Sequence, residues 1–385
     1  MQEKPLLQNI KMIETVKVVK VNELRKFIDL PHDIYKGDDN YVPELFMEQK
    51  KLFDKKKNPF FSHSSAEFFL AYKDGLPVGR IAAIRNNNYL DFQGTKEGFF
   101  GFFDCIDDQD VANALLNTAC QWVKAQGLEK ITGPENYTVN ESCGILTEGF
   151  DRPPVIGMPY NKPYYRKLLE GFDMQTAMKL TAYQINSGEM ARQAVKGKNI
   201  FKYRLAKQGI TIRPFNMKDF NAEVDKFHKI YNDSFSENWG FVPLTLEEFR
   251  YQATGLKSVA DPDLVLFAEK EKELIGFITT LPDYNQVFKQ LKRGRLLPFG
   301  WLKILRAKKY IDRVRISIMG IKKEYRKSGV GAIFYARIFE QAKRKKLFYG
   351  EGSYVMENNE VMQKSIEFLG GNIYKRYRIY EKSLI

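Results

Sequence analysis

Ile321-Lys322-Lys323-Glu324-Tyr325-Arg326-Lys327-Ser328-Gly329-Val330-Gly331-Ala332 lies between an apolar run of strand character (Val314 to Ile321) and a run of helical character (Ile333 to Lys345). A strand, a glycine-containing turn and a helix N-terminus form an anion site, because the first N–H groups of a helix have no partner within it and point outward. Gly329 and Gly331 let a phosphate approach the main chain, and Arg326 and Lys327 add positive charge. The expected occupant is a pyrophosphate-bearing ligand. A Walker A loop would need Gly-Lys followed by Ser or Thr, which this turn lacks. A dinucleotide fingerprint would need a third glycine near position 334, which is Phe.

Working outward, the chain repeats itself. Tyr41-Val42-Pro43 pairs with Phe241-Val242-Pro243, an offset of 241 − 41 = 200. Ala71, Gly79 and Ile81 map onto Ala268, Gly276 and Ile278, an offset of 197 each time. The stretches around them, Phe69 to Ile84 and Leu266 to Leu281, each read as a β-hairpin about a polar turn, Asp-Gly in one and Lys-Glu in the other. Two similar offsets in the same order indicate duplication at a period too long for a solenoid. After each hairpin the pattern predicts a strand, then a helix (Val111 to Ala125; Ile333 to Lys345) and a strand (Lys130 to Gly133; Phe348 to Met356). A short helix ending in glycine and a closing strand follow (Met178 to Ile185; Ile373 to Lys382). The expectation is an α/β (α+β) chain of two tandem domains, 1–195 and 206–385. Each would be a mixed, mostly antiparallel sheet flanked by helices, with the boundary in the polar stretch from Asn186 to Gly209.

Composition narrows the class. The 385 residues are 44% hydrophobic and 14% aromatic, which is globular composition. No apolar run is long enough to span a bilayer, the N-terminus lacks a secretory pattern, and Cys105, Cys120 and Cys143 have no paired spacing. A cytoplasmic location without disulfides or metal is expected. The net charge of +14 reads either as attraction to a polyanion or as a soluble basic surface. It is concentrated between Lys289 and Lys309, where eight basic residues stand with no acidic one.

The second copy resembles the GNAT (N-acetyltransferase) superfamily. Arg326-Lys327-Ser328-Gly329-Val330-Gly331 stands where that family carries Arg/Gln-x-x-Gly-x-Gly/Ala. Asn359 opens a helix closing at Leu369-Gly370-Gly371, near the family's Asn-x-x-Ala-x-x-Leu-Tyr-x-x-x-Gly-Phe. The tandem arrangement, with Asn-Tyr-Val-Pro, Gly-Arg-Ile-Ala-Ala and Leu-Leu-Glu-Gly-Phe in the first half, looks like a bacterial group of double-GNAT proteins. The resemblance implies acyl transfer from acetyl-CoA or another acyl-CoA to a small-molecule or peptide amine, by direct attack on the thioester. It assigns the cosubstrate to Met319, Ile321, Arg326, Lys327, Ser328, Gly329, Val330, Gly331, Ala332 and Asn359. Asn359 could equally cap its helix.

Two departures matter. Ile366 stands where many members carry a tyrosine acid, and the strand Val314 to Ile321 has no carboxylate to act as base. Glu357, Tyr354 and Tyr374 are the substitute catalytic candidates, against the readings of a solvated turn residue and two packing aromatics. In the first copy the loop position reads Asp104-Cys105-Ile106-Asp107-Asp108-Gln109-Asp110, with no glycine pair. Carboxylates there would cap the helix themselves and repel a pyrophosphate. The first half is therefore expected to be a degenerate copy without a CoA loop that supports the second half or builds part of its acceptor pocket.

Asn238-Trp239-Gly240-Phe241-Val242-Pro243 is expected on the acceptor side, as pocket lining or as a packed aromatic turn. Residues 299–311 can form an amphipathic helix that contacts an anionic membrane surface or packs on the second half. Two further readings stay open: a catalytically silent GNAT-fold protein that binds CoA or a partner, and an aminoacyl or peptidyl transferase of Fem-like type. Nucleic acid is otherwise not expected as a partner, because such transferases typically lack a strong CoA loop.

Overall fold

The computed structural model of the chain describes residues 16–186, 198–307 and 309–385. The first half runs β1 (Lys17–Lys20), α1 (Leu24–Ile34), α2 (Phe46–Leu52), β2 (Ser65–Lys73), β3 (Leu76–Arg85), α3 (Asn87–Gln93), β4 (Glu97–Cys105), α4 (Gln109–Ala125), β5 (Lys130–Gly133), β6 (Ile145–Glu148), α5 (Tyr165–Glu170) and β7 (Gln175–Asn186). Then come α6 (Lys198–Lys207), β8 (Ile210–Pro214), α7 (Phe220–Phe235), α8 (Leu246–Leu256), β9 (Val265–Lys270) and β10 (Glu273–Pro282). An excursion bearing α9 (Asn285–Phe288) and α10 (Gly300–Ala307) leads to β11 (Arg313–Ile321), α11 (Val330–Arg344), β12 (Tyr349–Met356), α12 (Glu360–Phe368) and β13 (Asn372–Ser383). The stretch expected as a linker thus contains α6, and residues 187–197 of it lie outside the described residues.

The duplication is visible in local irregularities. Both hairpins turn through two residues in the left-handed region, Asp74 and Gly75 in one, Glu271 and Lys272 in the other, the geometry that matches strand twist. Opposite Ala71 and Ala268 each hairpin carries one extra residue, Val78 and Ile275, again 197 apart. Each half also bulges in its fourth strand, at Phe102–Phe103 in β4 and at Ser317 in β11. A bulge bends its strand and interrupts pairing. Beyond it each parallel pair ends: β4–β5 pairing stops at Phe99↔Thr132, and β11–β12 at Ile316↔Gly352. Each half therefore opens into a V.

The halves share one sheet, in the order β1-β2-β3-β4-β5-β13-β7-β12-β11-β10-β9-β8. The closing strands are exchanged. β7, from the first half, pairs with β12 (Tyr349↔Asn186 to Met356↔Leu180), and β13, from the second, pairs with β5 (Tyr380↔Gly133 to Ser383↔Lys130). Each closing strand covers an edge that the other half would leave open. α4 packs on the first-half core with Val111, Leu115 and Leu116, and α11 on the second with Val330, Ile333 and Phe334. The exchange reaches the cores, where Val42 is buried among second-half residues and Val242 among first-half ones.

Buried polar groups fasten the junction. Arg315 on β11 donates from Nε to Ser353 Oγ (3.1 Å), from Nη2 to the Ser353 carbonyl (3.1 Å) and from Nη1 to the Ile156 carbonyl (2.9 Å). Asp283 accepts from the Ile156 amide (2.9 Å), and burial pushes its carboxyl up to about 7. Lys375 donates to the carbonyls of Gly149 (2.6 Å) and Arg152 (2.7 Å), and burial pushes it down to about 8.

Candidate functional site

In the second half the V is open. Ile316, Ser317, Ile318 and Met319 on β11 are only half-buried, unlike the corresponding β4, which is buried throughout. At the end of β11 the chain makes a short turn to Gly329, which sits at φ 101° as the N-cap of α11. A side chain there would be strained, and a Cβ would meet the Phe201 ring of α6 at 2.5 Å, so α6 backs the turn. Ser328 is buried and holds the turn together, donating to the Tyr325 carbonyl (2.6 Å) and accepting from the Val330 amide (3.3 Å). The amides of Gly331 and Ala332 stand in the first turn of α11 without an acceptor inside it. A Cβ on Gly331 would find only Ile321 Cδ1, at 3.6 Å. Arg326 leans back with Nε toward the Ile321 carbonyl (3.3 Å), and Lys327 is exposed. This is a cradle of free N–H groups and cations at the mouth of an open strand edge, and it fits a pyrophosphate with an extended arm.

The first half has closed the same place with its own atoms. Asp108 accepts at Oδ1 from the amides of Asp110 (2.9 Å) and Val111 (3.2 Å), and its carboxylate pairs with Lys73 (3.0 Å). That capping and the lysine hold its carboxyl below the usual range against the opposing effect of burial. Within the V, the Phe102 amide at the bulge donates to Asn136 Oδ1 (2.8 Å), and the Glu135 amide to the Phe100 carbonyl (2.8 Å). A Cβ on Gly101 would lie 2.0 Å from the Glu135 carbonyl. The chain itself fills the cleft that stays open in the second half.

The three catalytic candidates are not gathered around one point. Glu357 is exposed at the end of β12 and pairs with Lys179 of β7 (3.2 Å). Tyr354 stands on β12 two residues past the last β11–β12 pair, and its hydroxyl donates to the Cys143 carbonyl (2.7 Å). Tyr374 donates to Glu351, which also accepts from Ser353 Oγ (2.5 Å). Burial raises both phenols above their ordinary pKa. Asn359 caps α12, accepting from the Met362 amide (3.2 Å). Asn238 to Pro243 forms a packed turn. Its Phe241 and Val242 are buried, while half-buried Trp239 joins Cys143, Met158, Tyr354 and Met356 in an apolar cluster between the halves. Sequence reading missed Glu351, a buried carboxylate opposite Arg315 in the β11–β12 register. Its only trace is a charged residue inside an otherwise neutral strand. Among the described residues no cluster of His, Cys, Asp or Glu is arranged to hold a metal, and no helix is long and apolar enough to cross a membrane.

The Acetyltransferase (GNAT) family model matches residues 224–368. A bacterial ceramide synthase of Caulobacter vibrioides is 36% identical over 383 residues, covering 97% of this chain and 98% of the relative. The chain belongs to the GNAT family. Protein YghO of Escherichia coli is 34% identical, over 94% of this chain and 93% of that protein. Among solved structures, a tandem GNAT protein from the clavulanic acid biosynthesis pathway superposes with a TM-score of 0.55 at 10% identity, over 96% of this chain and 99% of that one. At that identity the likeness bears on the fold, and it places the chain with proteins built from two GNAT units.

Proposed function

We propose that the protein transfers an acyl group from acyl-CoA to the amino group of a long-chain amine, forming an amide. Acyl transfer is supported by the pairing of an open β11 edge with the unoccupied amides at the start of α11. The amine and its long chain are supported by the full-length similarity to a protein named as a ceramide synthase, since a ceramide is an amide of a long-chain amino alcohol. The amides of Gly331 and Ala332, with Arg326 and Lys327, hold the pyrophosphate, and Val330 ties the turn to Ser328. Ser328 and Gly329 shape the turn, the main chain from Met319 to Ile321 receives the pantetheine arm, and the free Nδ2 side of Asn359 faces it. In direct attack the amine nitrogen bonds to the thioester carbon, the C–S bond breaks with its electron pair on sulfur, and the nitrogen loses a proton.

Of the three side chains expected to move protons, Tyr354 is the best placed. It lies in the open V, keeps part of its surface, and stays protonated, as a donor to the departing thiolate must. Tyr374 and Glu357 are engaged elsewhere, and solvent in the cleft takes the proton from nitrogen. The first half carries no cosubstrate and serves as scaffold and acceptor wall. The test is incubation of the purified protein with acyl-CoA donors from acetyl to palmitoyl and a long-chain amino alcohol, followed by mass spectrometry. Amide formation matched by free CoA supports the reading. CoA release no faster than without protein, for every donor, removes it.

A further inference from the structure

The first half, though closed to CoA, borders a cavity of about 380 Å³ that Leu256, Val259 and Phe288 of the second half complete, within the roughly 300–1,000 Å³ of small-molecule sites. Its charged side chains are matched, Glu44 excepted. Arg80 pairs with Asp104 (2.8 Å), whose other oxygen accepts from Tyr35 (2.9 Å) and Tyr165 (3.3 Å). His32 bonds Tyr41 (3.0 Å), and burial pushes it down to about 4, so it is neutral at pH 7. Glu48, at the rim, pairs with Lys51 (2.9 Å). Glu44 has no hydrogen bond or ion pair among the described residues. It is an exposed residue that lines the cavity. The rest of the lining is largely apolar, including Ile28, Val42, Leu45, Met158, Leu256 and Phe288.

We propose that this cavity binds an organic ammonium ion carrying an apolar chain, with Glu44 as the countercharge. A carboxylate with no ion-pair partner beside a largely apolar cavity attracts a cation that enters there, while the apolar walls accept its chain. The site rests on the acyl-transfer reading for its role, as the place where the acceptor amine is held. Its charge chemistry stands apart from that reading.

The experiment measures binding of dodecylamine and dodecanol, each below its micellar concentration, to the full chain and to Glu44→Gln. The amine should bind about tenfold or more tighter than the alcohol to the wild type, as expected of a charged hydrogen bond, and Glu44→Gln should erase the preference. Equal binding of the two ligands by the wild type, or an undiminished preference in Glu44→Gln, overturns the site. Turnover is assayed separately. An amine preference lost in Glu44→Gln, without amide formation, keeps the site and removes the acyl-transfer reading, and amide formation without that preference does the reverse.

A second inference stands on the excursion between β10 and β11. Leu296 and Ile304 pack on the second-half core, whereas Leu297 (78% exposed), Phe299 (71%), Leu305 (67%), Trp301 and Tyr310 are left in solvent. Arg293 and Arg295 are held by Asp33 and Asp29 of α1, and the Gly294 backbone lies against the Glu44 carbonyl, so the excursion sits beside the cavity. Lys289, Lys292, Arg306 and Lys309 have no ion pair among the described residues. We infer that the excursion docks through Leu297, Phe299, Trp301, Leu305 and Tyr310 on an anionic lipid bilayer, the surface that accepts aromatic and leucine side chains at the headgroup boundary and basic ones above it. In sedimentation with vesicles, the protein should pellet with phosphatidylcholine containing phosphatidylglycerol and not with phosphatidylcholine alone. The variant Phe299→Ser/Trp301→Ser/Leu305→Ser should lose about tenfold or more of that binding. Equal pelleting with both vesicles, wild-type pelleting by the triple variant, or pelleting without vesicles overturns it.

Discussion

Val42 is buried in the core of the second half, and Val242, its counterpart in the repeat, is buried in the core of the first. With the exchange of β7 and β13, this reciprocity makes each half part of the other's interior. Calorimetry should therefore show one unfolding transition. Val42→Ala and Val242→Ala should each lower that transition by about 1–3 kcal/mol without splitting it. Two transitions, each moved by only one substitution, would contradict this account.

Asp108 shows how a helix start can be satisfied by a carboxylate of its own chain. Gly331→Asp would install that arrangement in the second half, where a Cβ has room beside Ile321. Thermal stability should hold or rise slightly, by about 0.3–1 kcal/mol. The thermal shift given by acetyl-CoA should vanish. An undiminished shift in a folded Gly331→Asp protein places the pyrophosphate elsewhere.

Tyr354 can be tested as proton donor apart from its bond to Cys143. Tyr354→Phe should cost about 1 kcal/mol of stability for the lost hydrogen bond. Its kcat should fall about tenfold or more while KM for acyl-CoA stays level. A loss of stability with unchanged kcat would leave Tyr354 a purely structural residue.

Burial, aided by the nearby Glu97 charge, pushes Glu135 up to about 8. The folded protein therefore keeps a proton that the unfolded chain, with an ordinary carboxyl near 4.3, gives up. Stability from this group falls as pH rises from about 4 to about 8 and is level above, with a slope of up to about 1.4 kcal/mol per pH unit. Glu135→Gln removes the effect. Melting temperatures followed from pH 5 to 8 should show the variant gaining steadily on the wild type, and parallel curves would refute the shift.

The elements were legible because they are written in local pattern. The helices after each fourth strand, the Asp-Gly turn and the glycine loop each arise from neighbours in sequence, and the structure places them within a few residues of where periodicity did. The first-half carboxylates were legible as caps for the same reason. The catalytic candidates were less so. Tyr374 finds Glu351 from β13, with β7 lying between β13 and β12, a relation that no spacing along the chain encodes. Glu44 reads as one more acidic residue of a loop until α1, β3 and the excursion build the cavity it lines.

By itself the sequence determined the duplication, the GNAT character of the second copy and the unequal helix starts. Helix capping and backbone freedom at glycine act over a handful of residues. Only the tertiary structure decided which strand closes which half, that the first-half V is filled by Glu135 and Asn136, and that an unpaired carboxylate faces a cavity. Pairing partners in a sheet are chosen by backbone groups that every residue carries, so the exchange of β7 and β13 leaves no mark in residue identity.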